Sequence, residues 1–224
     1  MNLGILSVNI ARARVIGAVH GEPVVSGIDK KPLAASSAFV RTLGIDGDEQ
    51  ADLTVHGGVD KAVYAYPAEH WPWWESEKKL SCRPATFGEN LTLEGADENA
   101  VSIGDRFQWG DAILEVSQPR APCYKLAIHT ARPDVPQVMT RSARCGWYFR
   151  VIGEGIAPVE NAKLVHISRS GGPTVREAFA ALFDRRAAME LSVRVRDTAQ
   201  LAESWRHAVA VKVERLWGEA AAEG

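Results

Sequence analysis

The sequence predicts a mainly β fold, either a barrel or a sandwich, followed by a small helical segment. Through the first two thirds of the chain, short apolar runs are separated by glycine, proline and aspartate, which is typical of strands joined by tight turns. After Arg169 the apolar residues recur at helical spacing instead. A chain of 224 residues can bury a full core. We therefore place a boundary near Ser170 and expect two domains, residues 1–169 and 170–224.

Seven apolar runs predict the strands. The run DRFQWGDAILEVS predicts a hairpin, because Trp109, Gly110 and Asp111 can turn between two apolar segments. Its alternation of apolar and polar residues is imperfect, so the register is left open. The remaining runs, in chain order, are LGILSVNI, VIGAVHG, SAFVRTLG, KAVYAYP, ENLTLEG and WYFRVIG.

Two short helices are predicted among the strands. One runs from about Pro67 to Lys79, and the other begins near Pro122 or Tyr124. Pro72 lacks the N–H that a helix interior needs, so the first segment should be one turn followed by a second helix start.

Three helices are predicted after Ser170. Thr174 and Glu177 have the spacing of a capping box ahead of an apolar face, which predicts the first of them. A short middle helix is expected around residues 187–193, and Asp197 is a candidate cap for the last.

Composition excludes several classes of protein. With 46% hydrophobic residues, 24% charged residues and a net charge of −2, the chain resembles neither a disordered protein nor a basic nucleic-acid-binding protein. Arginines interrupt the start of the chain, and no apolar run is long enough to span a membrane, so we expect a cytoplasmic protein without a membrane partner. Three cysteines without a CxxC pair argue against a disulfide framework and a structural zinc site, so at least one thiol should be free.

The first stretch with candidate chemistry is VHGGVDKAVYAYPAEH. Gly57 and Gly58 could expose backbone N–H groups, Lys61 could neutralise an anion beside them, and His56 could donate to that anion or transfer a proton. The same residues could form only a tight turn into a strand, which is the favoured interpretation of this stretch alone. His70 is expected to pack or to lie at the surface.

The second stretch is VSQPRAPCYKLAIH. Its prolines predict an extended turn that holds Arg120 and Cys123 at a strand end, and Lys125 lies close in sequence. Nearby cations favour the thiolate, which is a soft metal ligand and a nucleophile. The alternative is that Cys123 is a small buried hydrophobe. Cys82 is expected in a surface loop, and Cys145 is expected to be buried.

The third stretch is FGENLTLEG. The amide of Asn90 can both donate and accept hydrogen bonds, which suits a pterin or purine edge, whereas Glu89 could instead close the turn. The acidic loop GIDGDEQAD, with Asp46, Asp48 and Asp52, fails the calcium-loop spacing and is interpreted as turn chemistry on a solvated face. The chain also lacks the P-loop, GxGxxG, GxSxG and HExxH motifs.

Five motifs in order resemble the YiiM branch of the MOSC proteins, a family named for the molybdenum cofactor sulfurase C-terminal domain. They are VHGGVDKAVYAYPAEHWPWW, FGENLT, IGDRFQWG, QPRAPCYKL and GWYFRVI. The resemblance spans most of the chain. It implies a MOSC-type β-barrel with short interspersed helices and a small C-terminal three-helix domain.

The resemblance also implies a molybdenum cofactor of the molybdopterin type, with Cys123 as the thiolate that binds the metal. Lys61, Arg120 and Arg150 are suited to the cofactor phosphate, assisted by the N–H groups of Gly57 and Gly58. Glu89, Asn90, His56 and Asp60 are candidates for contacts to the pterin or for proton transfer.

The implied reaction is the reduction of N-hydroxylated bases and similar N–O compounds to amines, which serves to detoxify such bases. It needs a small-molecule substrate, an acid, for which we consider His56 or Asp60, and an external electron-donor protein, because the chain has no iron–sulfur or flavin motif. A homodimer is compatible with the sequence but is not specified by it. Two alternatives stay open: a module that carries the cofactor or a persulfide on Cys123, and a metal-free hydrolase in which Cys123 and His56 meet.

Overall fold

The computed structural model describes residues 1–51 and 57–222. The strands in this part of the chain are β1 (Asn2–Ile10), β2 (Arg14–Val19), β3 (Glu22–Ser26), β4 (Lys31–Pro32), β5 (Ser37–Arg41), β6 (Gly44–Ile45), β7 (Val63–Pro67), β8 (Leu91–Glu94), β9 (Arg106–Trp109), β10 (Ala112–Pro119), β11 (Trp147–Gly153), β12 (Gly155–Pro158) and β13 (Lys163–Ser168). The α-helices are α1 (Trp71–Lys78), α2 (Tyr124–Thr130), α3 (Val135–Ser142), α4 (Val175–Phe183), α5 (Met189–Arg196) and α6 (Glu203–Ala222), and 3₁₀ helices span Val59–Lys61 and Ala68–His70.

Seven of the strands form a closed barrel in the order β13, β9, β10, β11, β7, β8 and β1. Pairing of β1 with β13, for example Leu3 opposite Leu164, closes it. The neighbouring strands are antiparallel except for β7 and β8, which are parallel. Closure leaves the sheet without exposed edges, and it decides between the two predicted alternatives in favour of the barrel.

Strand β7 is buried along its whole length because both of its faces are covered. The indole N–H of Trp74, from α1, donates to the hydroxyl of Tyr66 at 2.6 Å. The ring of Phe87 stacks on the ring of Tyr66 with a centroid distance of 4.1 Å. Helix α1 and the loop before β8 are thereby fixed against the barrel.

The structure confirms the predicted hairpin and the predicted interruption of the first helix. Ala112 pairs with Trp109 across the turn between β9 and β10. The 3₁₀ helix Ala68–His70 precedes α1, and Pro72 lies in the first turn of α1, where a backbone N–H has no intrahelical partner to lose. Helix α2 begins at Tyr124, as one of the two predicted starts has it.

The change from strands to helices also falls where it was predicted. Thr174 and Glu177 form the capping box that begins α4. The middle helix, α5, runs slightly later than expected. The prediction that Asp197 caps the last helix is wrong, because its backbone N–H bonds back to Val193 and it ends α5, whereas α6 begins only at Glu203.

The C-terminal helices are bonded to the barrel through the backbone. The N–H of Val175 donates to the carbonyl of Val101, and the N–H of Ala202 donates to the carbonyl of Ser117 on β10, both at 2.9 Å. The division into domains 1–169 and 170–224 stays a prediction. Among the described helices, none is both long enough and apolar enough to span a lipid bilayer.

Candidate functional site

A pocket of about 610 Å³, including its open mouth, lies where several loops of the barrel meet. We call it the Cys123 pocket. Its walls come from the loops that follow β3, β6 and β10, the loop before β8, and side chains of β7 and β11. The lining residues are Ser26, Gly27, Ile28, Lys30, Asp48, Glu49, Gln50, Ala51, Lys61, Tyr64, Phe87, Gly88, Asn90, Arg120, Cys123, Lys125 and Tyr148.

Cys123 is the half-buried residue directly before α2. Its backbone is extended, with φ −130° and ψ 170°, as expected of a residue after Pro122 that precedes a helix. Its carbonyl accepts the N–H of Leu126 at 3.0 Å. The turn that was predicted from the prolines therefore presents this thiol to the pocket. Cys145 is buried, as predicted, and Cys82 is half-buried.

Arg120 is a buried cation in this pocket, with only 5% of its surface exposed. Its guanidinium lies 5.3 Å from the ring centre of Tyr64, and Nη1 lies 3.4 Å from the sulfur of Met139. Burial lowers the pKa of Arg120, but Tyr64, Tyr148 and the Cys123 thiol together raise it above its usual value.

No carboxylate in residues 1–51 or 57–222 forms an ion pair with Arg120. A buried guanidinium without a counter-ion is unfavourable by itself, and it binds phosphate or carboxylate ligands strongly. Arg120 is therefore suited to hold an anionic group in the pocket.

Lys30 and Asp48 form a buried ion pair in the wall of the same pocket. The Nζ of Lys30 lies 2.5 and 2.6 Å from the two carboxylate oxygens of Asp48, and the two side chains are 8% and 3% exposed. Asp48 also accepts the N–H of Ala11 at 2.8 Å. Burial lowers the pKa of Lys30, and the attraction of Asp48 opposes this shift. The interpretation of the acidic loop as a solvated face is thus wrong for Asp48, because the fold brings Lys30 over it.

Asn90 lines the pocket, but the geometry assigns its amide to positioning. Its Nδ2 donates to Asp48 at 2.9 Å and to the carbonyl of Asn9 at 3.2 Å. Its Oδ1 accepts the N–H of Tyr64 at 3.1 Å. Asn90 therefore holds Asp48 in place and joins two barrel strands, and a contact of its amide with a pterin stays a prediction.

Among the described residues that line the pocket, positive groups outnumber negative groups by two. Lys30, Lys61, Arg120 and Lys125 face it, against the carboxylates of Asp48 and Glu49. Glu49 accepts the backbone N–H of Ala13 at 2.9 Å. The charge balance favours an anionic ligand.

Glu89 lies behind the lining rather than in it. Its carboxylate accepts the N–H groups of Ala85 and Phe87 at 2.8 and 3.0 Å and the hydroxyl of Thr92 at 2.8 Å. Complete burial raises the pKa of Glu89 to about 7, although these donors act in the opposite direction. The geometry supports the alternative in which Glu89 closes the turn, and the structure does not bring it to the pocket as a cofactor contact.

Asp60 and Arg150 are bound to each other outside the pocket lining. Nε and Nη2 of Arg150 lie 2.8 and 2.7 Å from one oxygen of Asp60, and Nη1 lies 2.8 Å from Glu115. Arg150 was predicted to bind the cofactor phosphate, but two carboxylates already hold it. The structure likewise does not bring Asp60, predicted as a proton donor, to Cys123.

The glycine pair also lies outside the lining. Gly58 has φ 93°, a conformation that favours glycine, at the start of the 3₁₀ helix that carries Lys61. Its N–H donates to the side chain of Gln50 at 3.3 Å. The predicted role of Gly57 and Gly58 in binding an anion is therefore not supported by their placement, whereas Lys61 does reach the pocket. His56 and Asp52 lie outside the described residues.

Sequence reasoning did not propose Lys30, Asp48, Tyr64 or Tyr148 for this site. Lys30 and Asp48 are 18 positions apart in loops without any periodic pattern, so no local signal pairs them. The two tyrosines are paired across β7 and β11, with a ring-centre distance of 5.2 Å. Side-chain alternation along a strand predicts the face on which each tyrosine lies, but it does not predict which strand becomes the neighbour.

Comparison with known proteins indicates the family of the chain. Residues 52–163 match the family model described as the MOSC domain. The protein YiiM of Escherichia coli (strain K12) is 40% identical over 190 residues, which are 79% of this chain and 84% of that protein. A protein named "Reductase" from Gibberella moniliformis (strain M3125 / FGSC 7600) is 36% identical over 143 residues, 62% of this chain but 25% of that protein.

The crystal structure of YiiM from Geobacillus stearothermophilus has the same fold. It matches with a TM-score of 0.78 and 31% sequence identity, covering 94% of this chain and 99% of that one. MOSC domains are associated with binding of the molybdenum cofactor. The sequence match over half of the chain, the relative at 40% identity and the shared barrel agree, and the chain therefore belongs to the MOSC family.

Proposed function

We propose that the Cys123 pocket binds the molybdenum cofactor and that the protein reduces N-hydroxylated substrates to amines. The observation that carries this proposal is the pairing of a half-buried thiol with a buried guanidinium that has no carboxylate partner in the described chain, on the walls of one pocket. The match to the MOSC domain and the similarity to a protein named as a reductase support it.

The residues present fit such a group. A thiolate is a soft ligand suited to molybdenum, and Cys123 is the thiol that lines the pocket. Arg120, Lys125 and Lys61 would hold the phosphate of the cofactor, because cations on three different segments can surround a phosphate. The Lys30–Asp48 pair, held by Asn90, would keep its part of the pocket wall rigid.

The reaction converts R–NHOH, two electrons and two protons into R–NH2 and water. The cofactor, when bound, supplies the metal that exchanges two electrons. The chain itself positions the substrate and the cofactor and supplies a proton. His56 stays the candidate for the proton donor, since the carboxylate of Asp60 is held by Arg150.

The test is reduction of an N-hydroxylated purine by protein purified from a host that makes the cofactor, with reduced viologen as the electron donor. We expect the wild type and Cys82→Ser to form the amine and Cys123→Ser to form none. Cys82 is the matched control, because it lies outside the pocket and burial raises the pKa of its thiol to about 12. A wild type that forms no amine, or a Cys123→Ser variant as active as the wild type, contradicts the proposal.

A second candidate function is a carrier of sulfur. The observation that favours it is that Cys123 is only half-buried in an open pocket, where another protein's persulfide could reach it. In that reaction the outer sulfur of a desulfurase persulfide moves to the Cys123 thiolate, and the desulfurase thiolate is released. Transfer of labelled sulfur to metal-free wild type, but not to Cys123→Ser, would favour this function. The hydrolase alternative requires His56, and the described residues offer no support for it.

A further inference from the structure

A second cavity lies beside the Cys123 pocket. It measures about 890 Å³ including its open mouth, and we call it the basic cavity. The residues used below that line it are Asp29, Lys30, Lys31, Arg83, Thr86 and His129.

The two cavities share walls. Lys30 lines both. The loop before β8 separates them, with Thr86 in the basic cavity and Phe87 in the Cys123 pocket. Helix α2 contributes Lys125 to the Cys123 pocket and His129 to the basic cavity, four residues later and therefore about 6 Å further along the helix. The two cavities are therefore adjacent.

The basic cavity is positively charged. Arg83 is exposed, and within residues 1–51 and 57–222 no carboxylate pairs with its guanidinium. Lys31 lies 3.0 Å from Asp29, but Asp29 also pairs with Arg14, so the three groups keep one positive charge.

The pKa of His129 is affected by the same positive charges. Burial lowers the pKa of His129, and the charges of Lys31, Arg120 and Arg83 lower it further. Its ring therefore stays neutral near pH 7, and the cations on both sides of it keep an excess of positive charge. The hydroxyl of Thr86 accepts the backbone N–H of Arg83 at 2.9 Å, and it can still donate one hydrogen bond to a ligand.

We propose that the basic cavity binds the phosphate of a nucleotide substrate whose base enters the Cys123 pocket. Lys125 and His129, one from each cavity, are separated by a rise of about 6 Å along α2. A ribose joins the base and the phosphate of a nucleotide over a similar length, so the base and the phosphate can occupy the two adjacent cavities together. The assignment of the N-hydroxylated base rests on the proposed function. It narrows the substrate class to nucleoside 5′-monophosphates, and the phosphate of the cofactor remains with Arg120 on the other side of the shared wall.

The test measures binding of adenosine 5′-monophosphate and of adenosine, two unreactive probes, by calorimetry. We expect the monophosphate to bind wild type at least tenfold more tightly than adenosine, because a charged hydrogen bond contributes about this much. Arg83→Gln and Lys31→Gln should each remove most of this difference and leave adenosine binding unchanged. Both residues are exposed, so neither change should prevent folding. Arg185→Gln, an exposed arginine between α4 and α5, is the matched control and should behave as wild type.

Inorganic phosphate should compete with the monophosphate in wild type and not in Arg83→Gln. Equal binding of the two probes, or an effect of Arg185→Gln as large as that of Arg83→Gln, overturns the proposal. Loss of molybdenum from Arg83→Gln also overturns it, because the cavity would then hold part of the cofactor.

The outcome is distinguishable from failure of the proposed function. If wild type binds the monophosphate through Arg83 but reduces no N-hydroxylated compound, the proposed anion site stands and the proposed reaction is wrong. In the active protein, Arg83→Gln should raise KM at least tenfold for the N-hydroxylated nucleotide and leave KM for the free base unchanged. An equal change for both substrates contradicts the inference while the reaction stands.

Discussion

At the scale of single residues, the site depends on three buried ionisable groups with different roles. Arg120 faces the pocket without a carboxylate partner in the described chain, Lys30 faces it with Asp48, and Glu89 lies behind it with three hydrogen-bond donors. Burial of each charged form is unfavourable. Asp48 offsets this cost for Lys30 and hydrogen-bond donors offset it for Glu89, whereas no carboxylate of the described chain offsets it for Arg120. Substitutions can therefore separate ligand binding from stability.

Arg120→Met should separate the two effects most clearly. Methionine fills a similar volume without burying an unpaired charge, so we expect the cofactor-free variant to be as stable as wild type or more stable. The same variant should lose cofactor, because the anion-binding group is gone. Thermal unfolding of cofactor-free protein, together with the metal content of protein from a cofactor-competent host, checks both. A variant that is destabilised by several kcal/mol yet keeps its cofactor would assign Arg120 a structural role.

Glu89 should make stability depend on pH. Its pKa in the folded protein is about 7, above the ordinary value of 4.5, because burial favours the protonated form. The folded state therefore gains stability from this proton below about pH 4.5, and loses that gain as the pH rises through 7.

Urea unfolding at a series of pH values between 4.5 and 8 measures the effect. The free energy of unfolding of wild type should fall with rising pH relative to Glu89→Gln, which has no proton to release. Glu89→Gln should itself be less stable by about 1–3 kcal/mol at low pH, since its amide NH2 faces backbone donors. Parallel pH profiles for the two proteins contradict the assignment.

Asp60→Asn should have a small effect on activity. The carboxylate lies against Arg150, which keeps Glu115 as a second partner, so we expect a loss of about 1 kcal/mol in stability and less than a tenfold change in kcat. A general acid would contribute about a hundredfold or more. A drop of that size in kcat would restore Asp60 as the proton donor.

At the scale of elements, local signals predicted the structure well. The capping box of α4, the turn between β9 and β10 and the role of Pro72 in α1 all depend on residues within a few positions of each other. Helix α3 and the strands β3, β4, β6, β12 and β13 were not predicted. Strands β4, β12 and β13 pair with strands that are distant in the sequence, which no local pattern indicates. Strands β3 and β6 instead pair with the strands directly before them, across turns that were not recognised. The prediction that Asp197 caps the last helix was wrong because Asp is common at helix N-caps, whereas here Asp197 ends the preceding helix.

The same distinction applies to the site. The prolines around Cys123 correctly predicted an extended turn, but the partners of Arg150 and Asp48 lie 90 and 18 positions away. Only the fold decides that Arg150 meets Asp60 and that Lys30 meets Asp48. The sequence therefore predicted which residue types surround Cys123, but it could not predict which charged residues pair across the barrel.

Thr174→Ala tests the element that joins the helices to the barrel. The hydroxyl of Thr174 accepts the N–H of Glu177 at 3.1 Å, and its loss should reduce the free energy of unfolding by about 1 kcal/mol. Thr198→Ala is a control, because its hydroxyl donates to a carbonyl within α5 at the surface. Chemical unfolding of both variants measures the difference in the free energy of unfolding. Equal stabilities would show that the Thr174 cap does not stabilise the protein.

At the scale of the whole molecule, closure of the barrel makes the site. Strands β7, β10 and β11 are adjacent, so the residues at their ends, Tyr64, Arg120 and Tyr148, meet although the chain between them is long. The loop before β8 then divides the surface into the Cys123 pocket and the basic cavity. The match to the MOSC domain covers the chain that forms most of these walls.

The central claim is that Cys123 holds molybdenum in this pocket. The most direct measurement is the molybdenum content per chain of wild type, Cys123→Ser and Cys82→Ser, each purified from the same cofactor-competent host and analysed by mass spectrometry. We expect close to one metal per chain in wild type and Cys82→Ser, and loss of the metal in Cys123→Ser alone. Molybdenum retained in Cys123→Ser, or absent from all three proteins, would contradict it.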